Sequence, residues 1–216
     1  MTALSDLILE DNAEVLQRML DHPFVRGISD GTLPKPAYHR YLIYERDFVE
    51  TAISIFAYAT ARAPDLNAKS WLIDVQQSLA RDQLPYFDQS FKELAVATDF
   101  PRPPAVDAFD EGMLTIAEQG DFSEIVTAMF AAEWMYWTWC THAASTSIAD
   151  PHIRRWVDLH AEPAFKAQAL WLKNAIDRYA LPEHRARLSA LFGHVTELEI
   201  AFHDAPLIAD AEAANA

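Results

Sequence analysis

The sequence predicts an all-α protein, folded as a helical bundle of seven or more helices. Only five of its 216 residues are glycine, and the alternation of apolar and polar residues that is typical of strands is hard to find. Apolar residues make up 51% of the chain, enough for a substantial core. Because internal repeats and low-complexity linkers are absent, we expect one domain over residues 1–206 and a frayed tail over residues 207–216.

Charge and cysteine content narrow the classes of function. The formal net charge of −15 at pH 7 repels phosphate backbones and argues against nucleic-acid binding. A single cysteine excludes an internal disulfide framework and suits the reducing cytoplasm. Neither a signal peptide nor an uncharged apolar stretch of about 20 residues is found, so we expect a cytoplasmic protein without a membrane span.

Proline and capping residues divide the chain into helices. Ser5, Asp65 and Asp150 are predicted N-caps, and Asp121 with Glu124 forms a predicted capping box. The predicted helices span residues 5–21, 36–62, 65–98 with a kink or split at Pro85, 105–118, 121–150, 151–179 with an interruption at Glu162-Pro163, and 182–204 with a stop at Pro206. A loop over residues 23–34, with a turn at Asp30-Gly31, joins the first two helices.

The stretch 128–144 is the most unusual part of the chain, with three of the six tryptophans and the only cysteine. On a helix, Ala132, Glu133, Tyr136 and Trp137 share one face. A helix this apolar should be buried, and burying a carboxylate among aromatic rings costs free energy unless a partner compensates. Glu133 is therefore a candidate functional residue. The alternative is a buried acid that is hydrogen-bonded to a tyrosine or an arginine.

A second acid lies among aromatic residues on the helix predicted over residues 36–62, where Tyr41, Glu45 and Phe48 follow one stripe. Aromatic rings can stack on a flat heteroaromatic ligand, although at helical spacing they also form ordinary core. Two carboxylates in one apolar pocket separate their pKa values and so supply an acid and a base. Glu199, with either Glu45 or Glu133, could form such a pair.

The eight histidines raise a metal centre as an alternative. Di-iron bundles supply Glu-x-x-His pairs from facing helices. Here the order is reversed, from His194 to Glu197, without a second copy, and His160-Ala161-Glu162 is off register before a proline. We therefore expect no metal ion and no cofactor.

Four motifs resemble the TenA, or thiaminase II, family, in the same order over nearly the whole chain. They are HPFV (22–25), DGTLP (30–34), YHRYLIYERDFV (38–49) and ELEIAFHDA (197–205). The resemblance implies a haem-oxygenase-like helical bundle, usually a homotetramer. It also implies a small-molecule substrate and hydrolysis of the bond between an aminopyrimidine and its leaving group, in thiamin or its breakdown products.

The resemblance also implies roles for single residues. Glu199, in the Glu-x-x-Phe frame that ends at Phe202, matches the catalytic glutamate of the family. Glu45 matches an aspartate that holds the aminopyrimidine. Other positions of the family's site are matched by Phe48, Phe109, Tyr136 and His160, and by Ala132 in place of a nucleophilic cysteine.

The replacement of that cysteine separates the chain from the best-known subgroup. Cys140 lies eight residues beyond Ala132, about 12 Å along a helix, so it does not take over the nucleophile's place and is expected to be a small buried residue. The chain resembles the subgroup without the cysteine, in which glutamates carry the hydrolysis. The alternatives are a non-catalytic or differently specific binding protein, and a metal-dependent oxidase on the same bundle.

Overall fold

The structure is a computed structural model that describes residues 2–214, with side chains as far as residue 208. Within that range the regular structure consists of α-helices, one π-helical turn and one 3-10 turn, without a strand. The all-α prediction is confirmed. The helices are α1 (Leu4–Asp11), α2 (Ala13–Leu20), α3 (Pro23–Asp30), α4 (Lys35–Arg62), α5 (Leu66–Ser78), α6 (Leu84–Leu94), α7 (Pro104–Gln119), α8 (Phe122–Ala144), α9 (Pro151–Ala161), α10 (Pro163–Tyr179) and α11 (Arg185–Ala214).

Several predicted helix starts form as the capping residues indicate. The Asp65 carboxylate accepts a hydrogen bond from the backbone N–H three residues further on, at 2.9 Å. The Asp150 carboxylate accepts one from the N–H two residues further on, also at 2.9 Å. Asp121 and Glu124 exchange reciprocal side-chain to backbone bonds of 2.9 and 2.8 Å, which is the predicted capping box at the start of α8. The split predicted near Pro85 takes the form of a π-helical turn between α5 and α6.

The prediction of one helix over residues 5–21 is wrong, because this segment forms two helices, α1 and α2. Asn12, with φ −111° and ψ 14°, separates α1 from α2, and its side-chain amide donates hydrogen bonds to the carbonyls of Ile8 and Ser189 at 2.9 and 3.0 Å. Ser5 is not an N-cap, because it lies inside α1 and its hydroxyl donates to the Asp177 carboxylate at 2.8 Å. Hydrogen bonds to residues far away in the sequence therefore determine both the break at Asn12 and the position of Ser5 inside α1.

The loop predicted over residues 23–34 is also wrong, because most of it is helix α3. His22 caps this helix, with its Nδ1 accepting a hydrogen bond from the backbone N–H of Phe24 at 3.2 Å. The predicted turn at Asp30-Gly31 is confirmed. Gly31 ends α3 at φ 71°, the left-handed conformation that glycine adopts without strain.

The predicted stop of the last helix at Pro206 is wrong, since α11 continues through Pro206 to Ala214. A proline inside a helix lacks the N–H that would bond the carbonyl four residues earlier, at a cost of about 3 kcal/mol. The guanidinium of Arg40 donates two hydrogen bonds, of 3.2 and 2.7 Å, to the Pro206 carbonyl and holds this turn in place. The assignments of one domain and a frayed tail stay predictions, and residues 215–216 lie outside the described part.

Two units pack compactly within the described residues. The first comprises residues 2–33 and 126–200, and the second comprises residues 34–125 and 201–214. In the first unit the rings of Phe130 on α8 and Phe192 on α11 lie 5.5 Å apart. In the second unit α4 packs against α5 and α7.

Candidate active site

Glu133 is a buried carboxyl with two unlike oxygen atoms. It lies on α8 with 8% of its surface exposed. Its Oε1 accepts a hydrogen bond from Nε2 of Gln168 on α10 at 2.7 Å. Its Oε2 is buried and has no hydrogen-bond partner among the described residues. The carboxyl therefore keeps one oxygen available for a ligand.

Burial is the largest influence on the pKa of this carboxyl. It raises the pKa of Glu133 from 4.5 to about 7, although the hydrogen bond from Gln168 acts in the opposite direction. A carboxyl with such a pKa is present in both its neutral and its charged form near neutral pH, which is the property that general acids and bases need.

His160 lies in an aromatic cage in the same unit. Its ring lies 4.0 Å from that of Trp156, 4.8 Å from that of Phe165 and 5.5 Å from that of Tyr136, between ring centroids. Its Nδ1 lies 2.9 Å from the Trp156 carbonyl, which fits a neutral imidazole that donates from Nδ1. Burial lowers the pKa of His160 from 6.5 to about 4, against the effect of the Trp156 carbonyl. The imidazole is thus neutral at neutral pH, with Nε2 as an acceptor.

We expect His160→Gln to remove part of the acid sensitivity of folding. A folded-state pKa of about 4 lies below the unfolded value of 6.5, so the stability linked to His160 is present above pH 6.5 and is lost as the pH falls towards 4. The free energy of unfolding of the wild type should therefore fall by up to about 3 kcal/mol more than that of His160→Gln over this window. Urea unfolding at a series of pH values measures the difference.

His142→Gln is the matched control, since His142 is exposed on α8. Its unfolding free energy should run parallel to that of the wild type between pH 6.5 and 4. Identical profiles for both histidine variants would show that burial of His160 does not suppress its protonation.

In the second unit, Phe202 on α11 joins aromatic residues of α4 and α7. Its ring lies 5.0 Å from that of Phe109 and 6.3 Å from those of Tyr41 and Tyr44. Phe48 contacts Phe109 directly, at 4.5 Å between ring centroids. Three of the predicted aromatic site residues (Tyr41, Phe48 and Phe109) thus belong to one cluster in this unit.

Arg102 lies in the proline-rich loop of residues 101–103, which precedes α7. Its guanidinium donates to the carboxylates of Asp47 at 2.9 Å and of Asp107 at 2.5 Å, and it also bonds Asp110. Burial raises the pKa of Asp110 to about 6, although Arg102 acts in the opposite direction. One cation thus ties α4 to the start of α7, and this fixes the helix turn that carries Phe109.

The other predicted site residues are buried as expected. Glu45 lies on α4 with 6% of its surface exposed, and Glu199 on α11 is fully buried. Ala132 is buried on α8 directly before Glu133. Trp137, the remaining residue of the patch predicted on α8, packs against Trp134 at 4.8 Å and lies under the ammonium of Lys166.

Sequence reasoning missed Gln168, the one described side chain that bonds the Glu133 carboxyl. A signal was present, since Phe165, Ala169 and Leu172 follow the apolar stripe of α10 and Gln168 lies at helical spacing from Phe165 and Leu172. A polar residue on an apolar stripe is a candidate partner for a buried polar group. Its partner lies 35 residues away in the sequence, so only the packing of α10 on α8 identifies it.

Cys140 is fully buried, as predicted. Among the residues with described side chains, no three His, Cys, Asp or Glu residues are grouped so that they could hold a metal ion. No helix in the described range is long and apolar enough to cross a membrane.

Comparison with known proteins finds relatives over nearly the whole chain. The model of the TENA/THI-4/PQQC family matches residues 10–207. An aminopyrimidine aminohydrolase of Halalkalibacterium halodurans is 26% identical over 197 residues, which cover 85% of this chain and 86% of the relative. An aminopyrimidine aminohydrolase of Bacillus subtilis is 22% identical over 178 residues, which cover 79% of this chain and 75% of the relative.

A solved structure of a TenA homologue protein from P. horikoshii OT3 shares the fold. Its TM-score is 0.88 at 18% identity, and the alignment covers 95% of this chain and 98% of that one. At this level of identity the likeness concerns the fold alone. It confirms the prediction of an all-α helical bundle.

Proposed function

The chain belongs to the TENA/THI-4/PQQC family, and from this premise we propose that it hydrolyses the C–N bond of a thiamin-related aminopyrimidine, with glutamates in place of a cysteine. Relatives named aminopyrimidine aminohydrolase support the reaction. The observation that carries the proposal is the buried carboxyl of Glu133, whose Oε2 is available for a ligand. Glu133 directly follows Ala132, the residue that matches the family's nucleophilic cysteine. We further propose that the protein forms a homotetramer, as the resemblance implies. We also propose that it is cytoplasmic, which its single cysteine suits.

The chemistry needs an acid and a base. Water adds across the C–N bond, so that its hydroxyl joins the methylene carbon and the amine leaves with the proton. Aminomethylpyrimidine then yields hydroxymethylpyrimidine and ammonia. One group must protonate the leaving nitrogen and another must take a proton from water.

We assign the main acid and base role to Glu199 and the anchoring of the pyrimidine to Glu45. A carboxylate can accept hydrogen bonds from the exocyclic amino group and from a protonated ring nitrogen together. Glu133 would bind the substrate through Oε2. The complete burial of Glu199 supports its role, since a carboxyl removed from water shifts its proton affinity and interacts strongly with nearby charge.

Aromatic residues would hold the flat ring of the substrate. We propose that Phe48, Phe109 and Tyr136 contact the faces of the ring and that Tyr41 also binds the substrate. Such contacts are worth about 1 kcal/mol each beyond the buried area. His160, kept neutral by its aromatic cage, would accept a hydrogen bond from the substrate rather than repel a cationic leaving group.

We expect the pure protein to release hydroxymethylpyrimidine from aminomethylpyrimidine or from formylaminomethylpyrimidine. The two pyrimidines and thiamin should be supplied separately. Chromatography measures hydroxymethylpyrimidine and the leaving group, which is ammonia, formamide or the thiazole respectively. Turnover of either pyrimidine without added metal or thiol would support glutamate-based hydrolysis. Absence of turnover of all three compounds, in a protein that they nevertheless protect against heat, would overturn it.

That last outcome would favour a binding protein. Ala132 stands where the best-known subgroup carries its nucleophile, and this replacement fits a protein that kept its pocket and lost the chemistry. A binding protein would show thermal protection that saturates with the pyrimidine and no product at any enzyme concentration.

A further inference from the structure

The bond from Gln168 makes the two oxygens of the Glu133 carboxyl inequivalent. Nε2 of Gln168 donates to Oε1 at 2.7 Å, and Oε2 has no partner among the described residues. An N–H donor needs a lone pair that faces it, so it cannot bond an oxygen whose own proton points at the donor. When Glu133 is neutral, its proton is therefore directed to Oε2.

We propose that Gln168 is a positioning residue, which reserves Oε1 of Glu133 as an acceptor and thereby presents the carboxyl proton on Oε2 to a nitrogen lone pair of the substrate. This inference rests on the proposed function and deepens it, because Glu133 not only binds the substrate but also donates a proton to the leaving nitrogen, while Glu199 takes a proton from the attacking water. In the transfer, the O–H bond at Oε2 breaks and an N–H bond forms on the substrate. Glu133 becomes a carboxylate, the C–N bond breaks and the amine leaves with the new N–H bond. The hydroxyl of water joins the methylene carbon, and the other proton of that water restores neutral Glu133 at the end of the cycle.

The amide stabilises both forms of the carboxyl. Before the transfer, the Gln168 amide donates a hydrogen bond to Oε1 and accepts none from Glu133, so the proton on Oε2 is not engaged by the amide. After transfer the same N–H bonds a charged oxygen, and such hydrogen bonds are roughly twice as strong as neutral ones. The interaction thus becomes stronger as charge develops, which is the condition for an interaction that accelerates a reaction.

The neighbours of Gln168 on α10 are packed within the first unit. Leu172, one turn after Gln168, is fully buried, and the ring of Phe165, one turn before it, lies 4.8 Å from that of His160. Burial raises the pKa of Glu133 to about 7, so the neutral form that carries the proton is abundant at neutral pH. The amide limits this rise, because its hydrogen bond favours the charged form.

The variant Gln168→Met tests the proposal, since methionine matches the length of glutamine without its hydrogen bonds. Infrared spectroscopy of the full chain detects the C=O stretch of a neutral buried carboxyl, and its loss in Glu133→Gln assigns the band to Glu133. We expect Gln168→Met to move this band to higher frequency, because the bond to the C=O oxygen is removed. We also expect kcat to fall roughly tenfold with KM little changed, and the pH midpoint of turnover to rise.

Gln89→Met is the matched control. Gln89 donates to Oε1 of Glu93 at 2.7 Å, the same bond at the same distance, but on an exposed face of α6. This variant should leave the band and the kinetics of the wild type unchanged. Gln168→Asn is a second test, since it keeps the amide but withdraws it by one methylene group, and it should shift the band in the same direction as Gln168→Met.

Two outcomes would overturn the proposal. A band and a pH profile that are unchanged in both Gln168 variants would show that the amide does not orient the proton. A shift to lower frequency would show that Gln168 accepts the proton of Glu133 instead of donating to it. If the band shifts upward while the wild type hydrolyses no pyrimidine, the positioning is confirmed and the proposed hydrolysis fails.

Discussion

Glu199→Gln should lower kcat for the preferred pyrimidine by about 10²–10⁴-fold, the range that general acid and base catalysis supplies. Glutamine has the size and shape of glutamate but can neither take up nor release a proton at neutral pH. Because Glu199 is fully buried, water cannot easily substitute for its carboxyl. Single-turnover measurements of product, with the circular dichroism and melting temperature of the variant, check the prediction.

Glu197→Gln is the control on the same helix. Glu197 is exposed and accepts a hydrogen bond from Nη2 of Arg18 at 2.9 Å. An exposed ion pair contributes little to stability because solvent screens it, so this variant should keep its turnover. Wild-type turnover by a folded Glu199→Gln would remove Glu199 from the mechanism. If Glu199→Gln does not fold, Glu199→Asp is the second variant, since it keeps a carboxyl but moves it by one methylene group, and it should still lose most activity.

Glu133→Gln should make the protein more stable at alkaline pH. The folded-state pKa of Glu133 is raised from 4.5 to about 7, so its contribution to stability is fully present below pH 4.5 and is lost as the pH rises through 7. The variant has no charge to bury. Its free energy of unfolding should equal that of the wild type near pH 4.5 and exceed it by about 3 kcal/mol, as an order of magnitude, above pH 7.

The measurement must compare variant with wild type at each pH. The effects of Glu133 and His160 have opposite signs between pH 4.5 and 6.5, so the wild-type profile alone can be nearly flat there. Glu93→Gln makes the same chemical change in an exposed carboxyl that is bonded to Gln89, and it serves as the control. A stability difference between wild type and Glu133→Gln that stays constant from pH 4.5 to 8 would contradict the prediction.

The sequence was most informative where local chemistry decides structure. The capping carboxylates Asp65, Asp121 and Asp150 mark helix starts because each satisfies backbone N–H groups that the helix itself leaves unpaired. Burial of Glu133 followed from a helix that is apolar on all sides. The burial of this acid among apolar neighbours is therefore predictable from the order of residues along one helix.

Predictions failed where distant parts of the chain compete with local preference. Asn12 breaks the first helix because its amide bonds a carbonyl 177 residues away. The helix continues through Pro206, whose carbonyl accepts from Arg40, 166 residues earlier, and this bond stabilises the turn that carries the proline. Neither partner can be inferred from spacing, since each contact exists only after the helices have packed.

By itself the sequence determined the all-α class, most helix boundaries and the burial of Glu45, Glu133 and Glu199, since these follow from periodicity, capping and the cost of exposing apolar faces. Only the tertiary structure decided which groups meet. Gln168 reaches Oε1 of Glu133 and leaves Oε2 without a partner among the described residues, and Trp156 holds the ring of His160. The chemistry of a buried carboxyl depends on such neighbours, because removal from water makes each remaining hydrogen bond count.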